Sequence, residues 1–286
     1  MRRRRAILWA AGAVGAAAAV FALLYGGGWL RQLIAPARPT LPFKILPNER
    51  MTYRVTAGLG DAGTVVVDVG PLERRPVADR PSYRITYTLR PTEAMSAAYL
   101  MKGQVSVLVD AVTLLPIEYE EQLISGLGIS GGTPRHQKFV FDRPHRLLHY
   151  YKAKDGKGPL RLRRKRPLAA DGHHLTSLIY SIRHRTLRPG DTFTLTVSSK
   201  RKDRPVDFRV ARTESVPGPG GGLRQAAVVY AEVASEDDAA KPNIYTVWVD
   251  TQEGYPVRLD LATNLGRISA MLVSRTLTGA PQTQAP

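Results

Sequence analysis

The stretch SYRITYTL, residues Ser82–Leu89, alternates polar side chains with bulky apolar ones at every second position. Successive side chains of a β-strand point to opposite faces, so this alternation is typical of a strand with one buried face. Its threonines, tyrosines and isoleucine also favour extended backbone. The stretch therefore predicts an antiparallel sheet that packs one face and exposes the other.

Stretches with the same period recur along the chain, and loops rich in Gly, Pro, Asp and Ser separate them. The further predicted strands are Met51–Val55, Thr64–Val69, Gln104–Val109, Ile117–Gln122, Lys138–Phe141, Leu147–Lys152, Thr192–Val197, Val206–Ala211, Arg224–Val233, Tyr245–Val249, Val257–Leu261 and Arg267–Arg275. About a dozen strands at this spacing predict an all-β domain, built as an antiparallel sheet, a sandwich or a barrel.

One segment has helical spacing instead. Its apolar stripe consists of Leu175, Leu178, Ile179 and Ile182. With Asp171 as a possible N-cap and the turn at Pro189–Asp191 after it, the stripe predicts a helix from about His174 to His184. Thr92–Leu100 is a second, shorter candidate helix.

Two predicted hairpins share one pattern. Asp110 ends a strand and Pro116 opens the next, and Asp250 and Pro256 repeat both residues at the same spacing of six. An Asp carboxylate accepts hydrogen bonds from the amides that follow it, and Pro can open a strand where no amide donor is needed. We interpret both aspartates as turn residues rather than catalytic acids.

The N-terminus carries a basic cluster, Arg2–Arg5, followed by the uncharged run Ala6–Leu30. The 25 residues of this run would span about 37 Å as a helix, more than the ~30 Å hydrocarbon core of a bilayer. Because basic flanks stay in the cytoplasm, the run predicts a single-pass inner-membrane anchor with everything from about residue 31 in the periplasm. The A-x-A-like site Ala35–Ala37 leaves a cleaved signal and a free periplasmic protein as the alternative.

Composition sets further bounds. We expect residues 31–47 to form a proline-rich spacer, 48–277 a single antiparallel β domain and 278–286 a disordered tail. The chain has no cysteine, which excludes disulfides and thiolate metal sites. Its formal net charge of +17 favours an anionic partner. Outside the cytoplasm that partner would be anionic lipid, lipopolysaccharide phosphate or peptidoglycan carboxylate rather than nucleic acid.

The order of segments resembles a bacterial family known as domain of unknown function 3108. The resemblance covers roughly residues 45–275 and is carried by Asn48–Val55, Asp110–Pro116, Leu175–Asp191 and Trp248–Asp250. It implies an exported protein without an assigned activity. The strand-Asp-Pro hairpins are also similar to those of the lipoprotein-localisation carriers. That analogy implies a curved half-barrel wrapped on a helix, with an apolar cavity for acyl chains.

Catalytic and metal-binding patterns are not evident. The Gly-rich stretch Ser125–Gly132 includes a G-x-S-x-G pattern at Gly128–Gly132, but it lacks the strand-loop-helix setting that a nucleophile motif needs and the lysine of a phosphate-binding loop. His173 and His174 are adjacent, so on a helix they point about 100° apart and rarely bind one ion. We therefore expect no catalytic residue, no metal and no cofactor, and we interpret these histidines as solvated residues near a helix start.

The candidate ligand-binding residues are Leu123, Leu127, Ile129, Arg161, Arg163, Lys165 and Arg183. The three apolar ones lie in or beside a Gly-rich, flexible stretch that could form a lid over a cavity. The basic residues of 161–165 would share one face of a strand and meet a phosphate headgroup. Arg183 lies beside Tyr180 on the predicted helix. We interpret it as a structural clamp for carboxylates or carbonyls rather than as a ligand contact.

These features predict a non-catalytic envelope protein that cradles a hydrophobic or amphipathic anionic ligand, a lipid or an acylated protein, in the periplasm. The alternative is a membrane-anchored structural or regulatory scaffold that binds another envelope protein. A deep apolar cavity would favour the first function, whereas a fully packed core with an exposed apolar patch would favour the second.

Overall fold

The computed structural model describes residues 45–58, 60–74, 81–233, 243–263 and 266–277. Its strands are β1 Glu49–Ala57, β2 Gly60–Arg74, β3 Pro81–Pro91, β4 Tyr99–Asp110, β5 Pro116–Leu127, β6 Thr133–Asp142, β7 Leu147–Ala153, β8 Leu160–Pro167, β9 Thr192–Ser198, β10 Asp203–Pro217, β11 Leu223–Val233, β12 Asn243–Asp250, β13 Pro256–Thr263 and β14 Gly266–Leu277. Two α-helices accompany them, α1 Glu93–Ala98 and α2 Leu175–Arg183. The predicted anchor, most of the spacer and the predicted tail lie outside the described residues.

All 14 strands belong to one sheet, in the order β8-β7-β6-β5-β4-β3-β2-β1-β14-β13-β12-β11-β10-β9. Each strand pairs antiparallel with its neighbours. The first and last strands meet in the middle, where Glu49 is paired with Leu277. The prediction of an all-β antiparallel fold is confirmed. Because β8 and β9 are both edges, the sheet is not closed.

The segment between β8 and α2 bridges the two sheet edges. The backbone of His173 donates to the carbonyl of Thr196 and accepts from the amide of Ser198, both at 2.7 Å. A salt bridge of 2.6 Å joins Arg166 on β8 to Asp203 on β10. The edges are thus tied by short contacts rather than by strand pairing.

The sheet curls around α2. Fourteen strands spaced about 4.8 Å apart would extend roughly 60 Å if they lay flat. Yet this one short helix touches β3, where the Tyr87 hydroxyl donates to the Thr176 carbonyl at 2.8 Å, and shares a core with Phe208 on β10 through Leu178. Strands far apart in the sheet order can meet the same helix only if the sheet is strongly curved.

The inner face carries the core. In SYRITYTL the inward residues Ile85, Tyr87 and Leu89 are buried, as the alternation predicts. Neighbouring strands continue this layer with aromatic and β-branched side chains in cross-strand register. Its fully buried members are Ile85, Val107, Tyr119 and Phe139.

The two repeated hairpins have the predicted geometry. The carboxylate of Asp110 accepts hydrogen bonds from the amides two and three residues ahead, at 3.0 and 2.7 Å. Asp250 does the same at 2.9 and 2.7 Å. Each loop reverses through left-handed backbone, at Leu114 with a φ of 58° and at Gly254 with a φ of 71°. The interpretation of both aspartates as turn residues is confirmed.

Both predicted helices are present, but the N-cap prediction was wrong. His174, not Asp171, caps α2, and its ring accepts from the amide of Thr176. The carboxylate of Asp171 instead accepts a hydrogen bond of 2.9 Å from the Thr196 hydroxyl on β9. Neither α1, nor α2, nor any other helix in the described part has the length and hydropathy of a membrane span.

Candidate ligand-binding site

A cavity of about 150 Å³ lies between α2 and the inner face of the sheet. Its walls come from α2, from β1–β3 on one flank and from β10–β14 on the other. The lining is dominated by apolar side chains such as Leu178, Ile179, Val206, Phe208, Val247 and Ile268. An apolar cavity of roughly this size stays dry in other proteins and takes up small apolar molecules.

Four tyrosines bring hydroxyl groups to this apolar wall: Tyr53, Tyr87, Tyr180 and Tyr245. The hydroxyls of Tyr53 and Tyr87 each donate to a backbone carbonyl 2.8 Å away. Those of Tyr180 and Tyr245 are buried as well, but neither donates to an acceptor among the described residues. Burial raises the pKa of all four phenols, so each is a neutral donor near pH 7.

A buried charge cluster closes one side of the cavity. Arg183 donates to the Glu49 carboxylate at 2.8 and 3.2 Å, and Arg275 donates to it at 2.7 Å. Arg275 also pairs with Glu253. Burial alone would raise the pKa of Glu49, but the two guanidiniums hold it below its usual range. Arg183 therefore clamps a carboxylate, the role that its place beside Tyr180 predicts.

The two adjacent histidines are buried, and their interpretation as solvated residues was wrong. His174 is 1 % exposed and stacks on Tyr119 with ring centroids 3.7 Å apart. Burial lowers its pKa to about 3, and burial together with the nearby Arg143 lowers the pKa of His173 to about 4. Both rings are neutral near pH 7 because α2 begins inside the sheet rather than at the surface. Within the described residues, no group of side chains is arranged to hold a metal ion.

A second concavity, which we call the basic groove, is open and has a volume of about 880 Å³. It runs across β3–β6, α1 and the turn at Lys154–Gly156. Its cationic lining residues are Arg90, Lys102, Arg135 and Lys157, and no described carboxylate lines it. Arg135 pairs with the buried Glu121. Arg90, Lys102 and Lys157 have no carboxylate partner among the described residues, so their charges are available to an anion.

Of the predicted lid residues, Leu123 and Leu127 do not line the apolar cavity. Leu123 is buried in the core of β5 and borders the basic groove. Leu127 is 37 % exposed at the end of β5, and Ile129 lies in the short 3-10 turn Gly128–Ser130. A Cβ atom on Gly128 would lie 2.1 Å from the carbonyl oxygen of Ser96. The Gly-rich loop therefore packs against the backbone of α1 instead of lying free above the cavity.

The predicted basic face of β8 is split by a β-bulge. Arg161 pairs with Lys152, whereas Lys165 pairs with His149, and the register shifts between them around Arg163. Positions three apart on β7 face opposite sides of the sheet, so Arg161 and Lys165 do too. All three side chains are exposed, but the prediction that they share one face was wrong.

Of the seven predicted residues, Arg183 lines the apolar cavity and Leu123 lines the basic groove. Sequence reasoning missed Tyr180 and Tyr245 as cavity hydroxyls, and Arg90 and Lys157 as groove cations. Tyr180 could have been found, because it lies beside Arg183 in the helical segment singled out above. Arg90 and Lys102 are isolated in sequence and carry no local signal, whereas Lys157 belongs to a basic stretch with Lys152 and Lys154.

The described part of the chain is thus an open antiparallel sheet curled around one helix. The fold is similar to the crystal structure of a "Beta-barrel-like Protein of Domain of Unknown Function DUF1849" from Brucella abortus, with a TM-score of 0.53 and 9% identity over 82% of this chain and 99% of that one. A weaker likeness, with a TM-score of 0.32 and 13% identity over 84% of this chain and 88% of the other, links it to the "hypothetical lipoprotein YmcC" from Escherichia coli. At 9% identity the likeness to the first of these structures shows the fold alone.

The family follows from the sequence match. The profile of the family described as "Protein of unknown function (DUF3108)" matches residues 52–273, nearly the whole sheet. The chain belongs to this family, as its hairpins and helix motif predict. No curated protein matches it.

Proposed function

We propose that this protein is a non-catalytic binding protein of the bacterial envelope, which holds a hydrophobic or amphipathic anionic ligand between α2 and the sheet. The ligand would be a lipid or an acylated protein. The observation that supports this function is the apolar cavity of about 150 Å³ between α2 and the inner face. A domain that had no ligand would gain stability by filling such a space with its own side chains.

The energetics favour an acyl chain as occupant. Each methylene removed from water contributes about 0.8 kcal/mol, so even a short enclosed segment supplies several kcal/mol. The cavity walls offer dispersion contacts and no charge that is free of a protein partner. Affinity would therefore come from the chain, with specificity from the few polar groups in the wall.

An anionic headgroup would remain outside the cavity, because burying an unpaired charge is costly. The exposed cations of β8 at positions 161, 163 and 165 were the sequence-based candidates for this contact. The basic groove supplies a second set, in which Arg90, Lys102 and Lys157 surround one concave surface. Such charges would act mainly on capture and orientation.

The location is part of the proposal. The uncharged run Ala6–Leu30 after Arg2–Arg5 supports a membrane anchor with the sheet in the periplasm. There the domain would lie close to acylated proteins and lipids while remaining attached to the inner membrane.

The test is photo-cross-linking. Full-length protein in an amphipathic polymer would be irradiated with phosphatidylglycerol that carries a diazirine in one acyl chain. We expect cross-links in α2 and in β10–β13, mapped by mass spectrometry of peptides. Ala231→Leu, which fills space in the cavity wall, should reduce them severalfold. Ala262→Leu, an exposed change on β13, is the matched control and should leave them unchanged.

Two cross-linking results would contradict the proposed function. If a folded protein cross-links only within residues 6–30, or equally well in both variants, the cavity holds no acyl chain. The scaffold that binds another envelope protein would then be the better account.

A further inference from the structure

Two hydroxyl groups in the cavity lack a hydrogen-bond acceptor among the described residues. Tyr180, on α2, is 1 % exposed, and Tyr245 projects from β12 on the other wall. Both line the cavity, and neither hydroxyl donates to an acceptor among the described residues. Buried hydroxyls are nearly always paired, so an unpaired one needs an explanation.

The surrounding residues show that pairing is possible in this cavity. Tyr53 and Tyr87 line the same space, and each donates to a backbone carbonyl at 2.8 Å. Phenylalanine would fill the positions of Tyr180 and Tyr245 without the penalty of an unpaired hydroxyl. The two hydroxyls are therefore better explained by ligand binding than by packing of the core.

The missing partner must be a hydrogen-bond acceptor. Arg183 lies over the Tyr180 ring, 5.2 Å from its centroid, but a guanidinium can only donate. Glu49, a buried carboxylate beside Arg183, is occupied by Arg183 and Arg275. The phenolic proton is thus left for an oxygen that enters with a ligand.

The charges decide what kind of oxygen fits. The two guanidiniums near the cavity already neutralise Glu49, and Asp260 in the wall pairs with Arg258 at 2.7 Å. A ligand carboxylate buried here would find no free cation, and burying an unpaired anion is strongly unfavourable. An uncharged carbonyl oxygen accepts the same hydrogen bond without that penalty.

We infer that the cavity selects an acyl chain that carries an uncharged carbonyl, as in a fatty acyl ester or amide, and that Tyr180 and Tyr245 donate hydrogen bonds to it. This inference rests on the proposed function and narrows its ligand. It separates the two parts of the ligand: the acyl carbonyl enters the cavity, while any anionic headgroup stays outside.

The experiment is a competition against the photoreactive lipid described above, with full-length protein. Unlabelled methyl laurate, laurate and dodecane share one chain length and differ only at the terminal group. We expect methyl laurate to compete about tenfold better than dodecane, the combined effect of two neutral hydrogen bonds of about threefold each, and laurate to compete less well than the ester.

Variants test the donors. In Tyr180→Phe the advantage of the ester over dodecane should shrink to about threefold, the share of the remaining donor Tyr245, while thermal stability stays equal or rises. Tyr245→Phe should lower the same ratio and serves as a second variant. Tyr150→Phe is the control, because its hydroxyl bonds Gln137 outside the cavity.

Outcomes separate this inference from the proposed function. If all three competitors act equally on the wild type, or if laurate competes best, the inference is overturned while acyl binding stands. If both Tyr→Phe variants keep the full preference for the ester, the hydroxyls are not the donors. Absence of any lipid cross-link in the cavity would instead remove the proposed function.

Discussion

Arg183 on α2 donates two hydrogen bonds to Glu49 on β1, across 134 residues of sequence. Both side chains are almost fully buried, at 2% and 0% exposure. The pair joins the end of the enclosed helix to the first strand of the sheet, and so helps to fix where α2 lies on the inner face. The cavity depends on that placement.

Removal of Arg183 should therefore be costly. In Arg183→Met the Glu49 carboxylate loses one of its two buried partners, and we expect the free energy of unfolding to fall by about 3–5 kcal/mol. Arg188→Met, at an exposed position just beyond α2, should change it by less than about 0.5 kcal/mol. Urea unfolding of both variants measures the difference. Equal midpoints would show that the pair does not hold the helix.

The apolar face of α2 gives a second prediction. Leu178 is 4 % exposed and packs in a cluster with strands β9–β12. Leu178→Asp would bury an unpaired charge and should destabilise the protein by several kcal/mol. Leu223→Asp, at a leucine that is 74% exposed, is the control. A thermal midpoint unchanged by the first substitution would mean that α2 is peripheral.

The strands and α2 could be predicted because their signals are local. Period two in Ser82–Leu89 and helical spacing in Leu175–Ile182 each reflect one element against one core. The pairing of Glu49 with Arg183 could not be predicted, since neither residue has a nearby partner in sequence. The bulge at Arg163 also escaped prediction, because residues Arg163–Arg166 are all basic and show no alternation that would reveal where one residue is left unpaired.

The error about His173 and His174 has a physical reason. Histidines at a helix start are usually solvated, but here the start of α2 lies under Tyr119 and Phe139 of the sheet. Whether a helix end is buried depends on how the whole sheet curves, which no short window of sequence contains. The cavity is hidden from sequence for the same reason, since a residue that lines a void has the same pattern as one in the packed core.

These buried histidines predict a dependence of stability on pH. In the folded protein the pKa is about 4 for His173 and about 3 for His174, against an ordinary value of 6.5. Between those limits the unfolded chain binds more protons, so the free energy of unfolding falls as the pH is lowered. Each histidine should contribute a loss of about 2 kcal/mol between pH 7 and pH 5.

Urea unfolding at several pH values in that window checks this dependence. Glu49 does not interfere, because its pKa lies below 4.5 and its own effect begins only at lower pH. His174→Asn keeps a side chain that can cap α2 but cannot titrate. The slope of the free energy of unfolding against pH should therefore fall by the contribution of one titrating histidine. An unchanged slope in this variant would contradict a neutral, buried His174.

Topology is a separate prediction. If Ala6–Leu30 spans the inner membrane with Arg2–Arg5 inside, a reporter fused after Leu277 lies in the periplasm. Alkaline phosphatase, which is active only there, should be active in that fusion, and a cytoplasmic reporter should not. Replacing the four arginines by glutamate should lower the phosphatase signal. A cytoplasmically active fusion at Leu277 in the unmodified chain would refute the proposed location.

The final prediction concerns where an anionic headgroup binds. Two triple variants remove the same charge from a net +17: Arg161, Arg163 and Lys165 to Ser on β8, and Arg90, Lys102 and Lys157 to Ser in the basic groove. Cations around one concavity reinforce each other's field, whereas the β8 charges are divided between two faces. We therefore expect the groove variant to lose more affinity for dihexanoyl phosphatidylglycerol, a soluble anionic lipid.

Calorimetry at low salt measures that loss, which we expect to be about tenfold for the groove variant and about twofold for the β8 variant. Dihexanoyl phosphatidylcholine, which is neutral overall, should bind wild type and both variants alike. Raising the ionic strength from about 0.01 to about 0.15 M shortens the screening length from about 30 to about 8 Å, so the differences should shrink. Equal losses in the two variants would show that only total charge matters, and a larger loss in the β8 variant would place the headgroup on the edge strand instead.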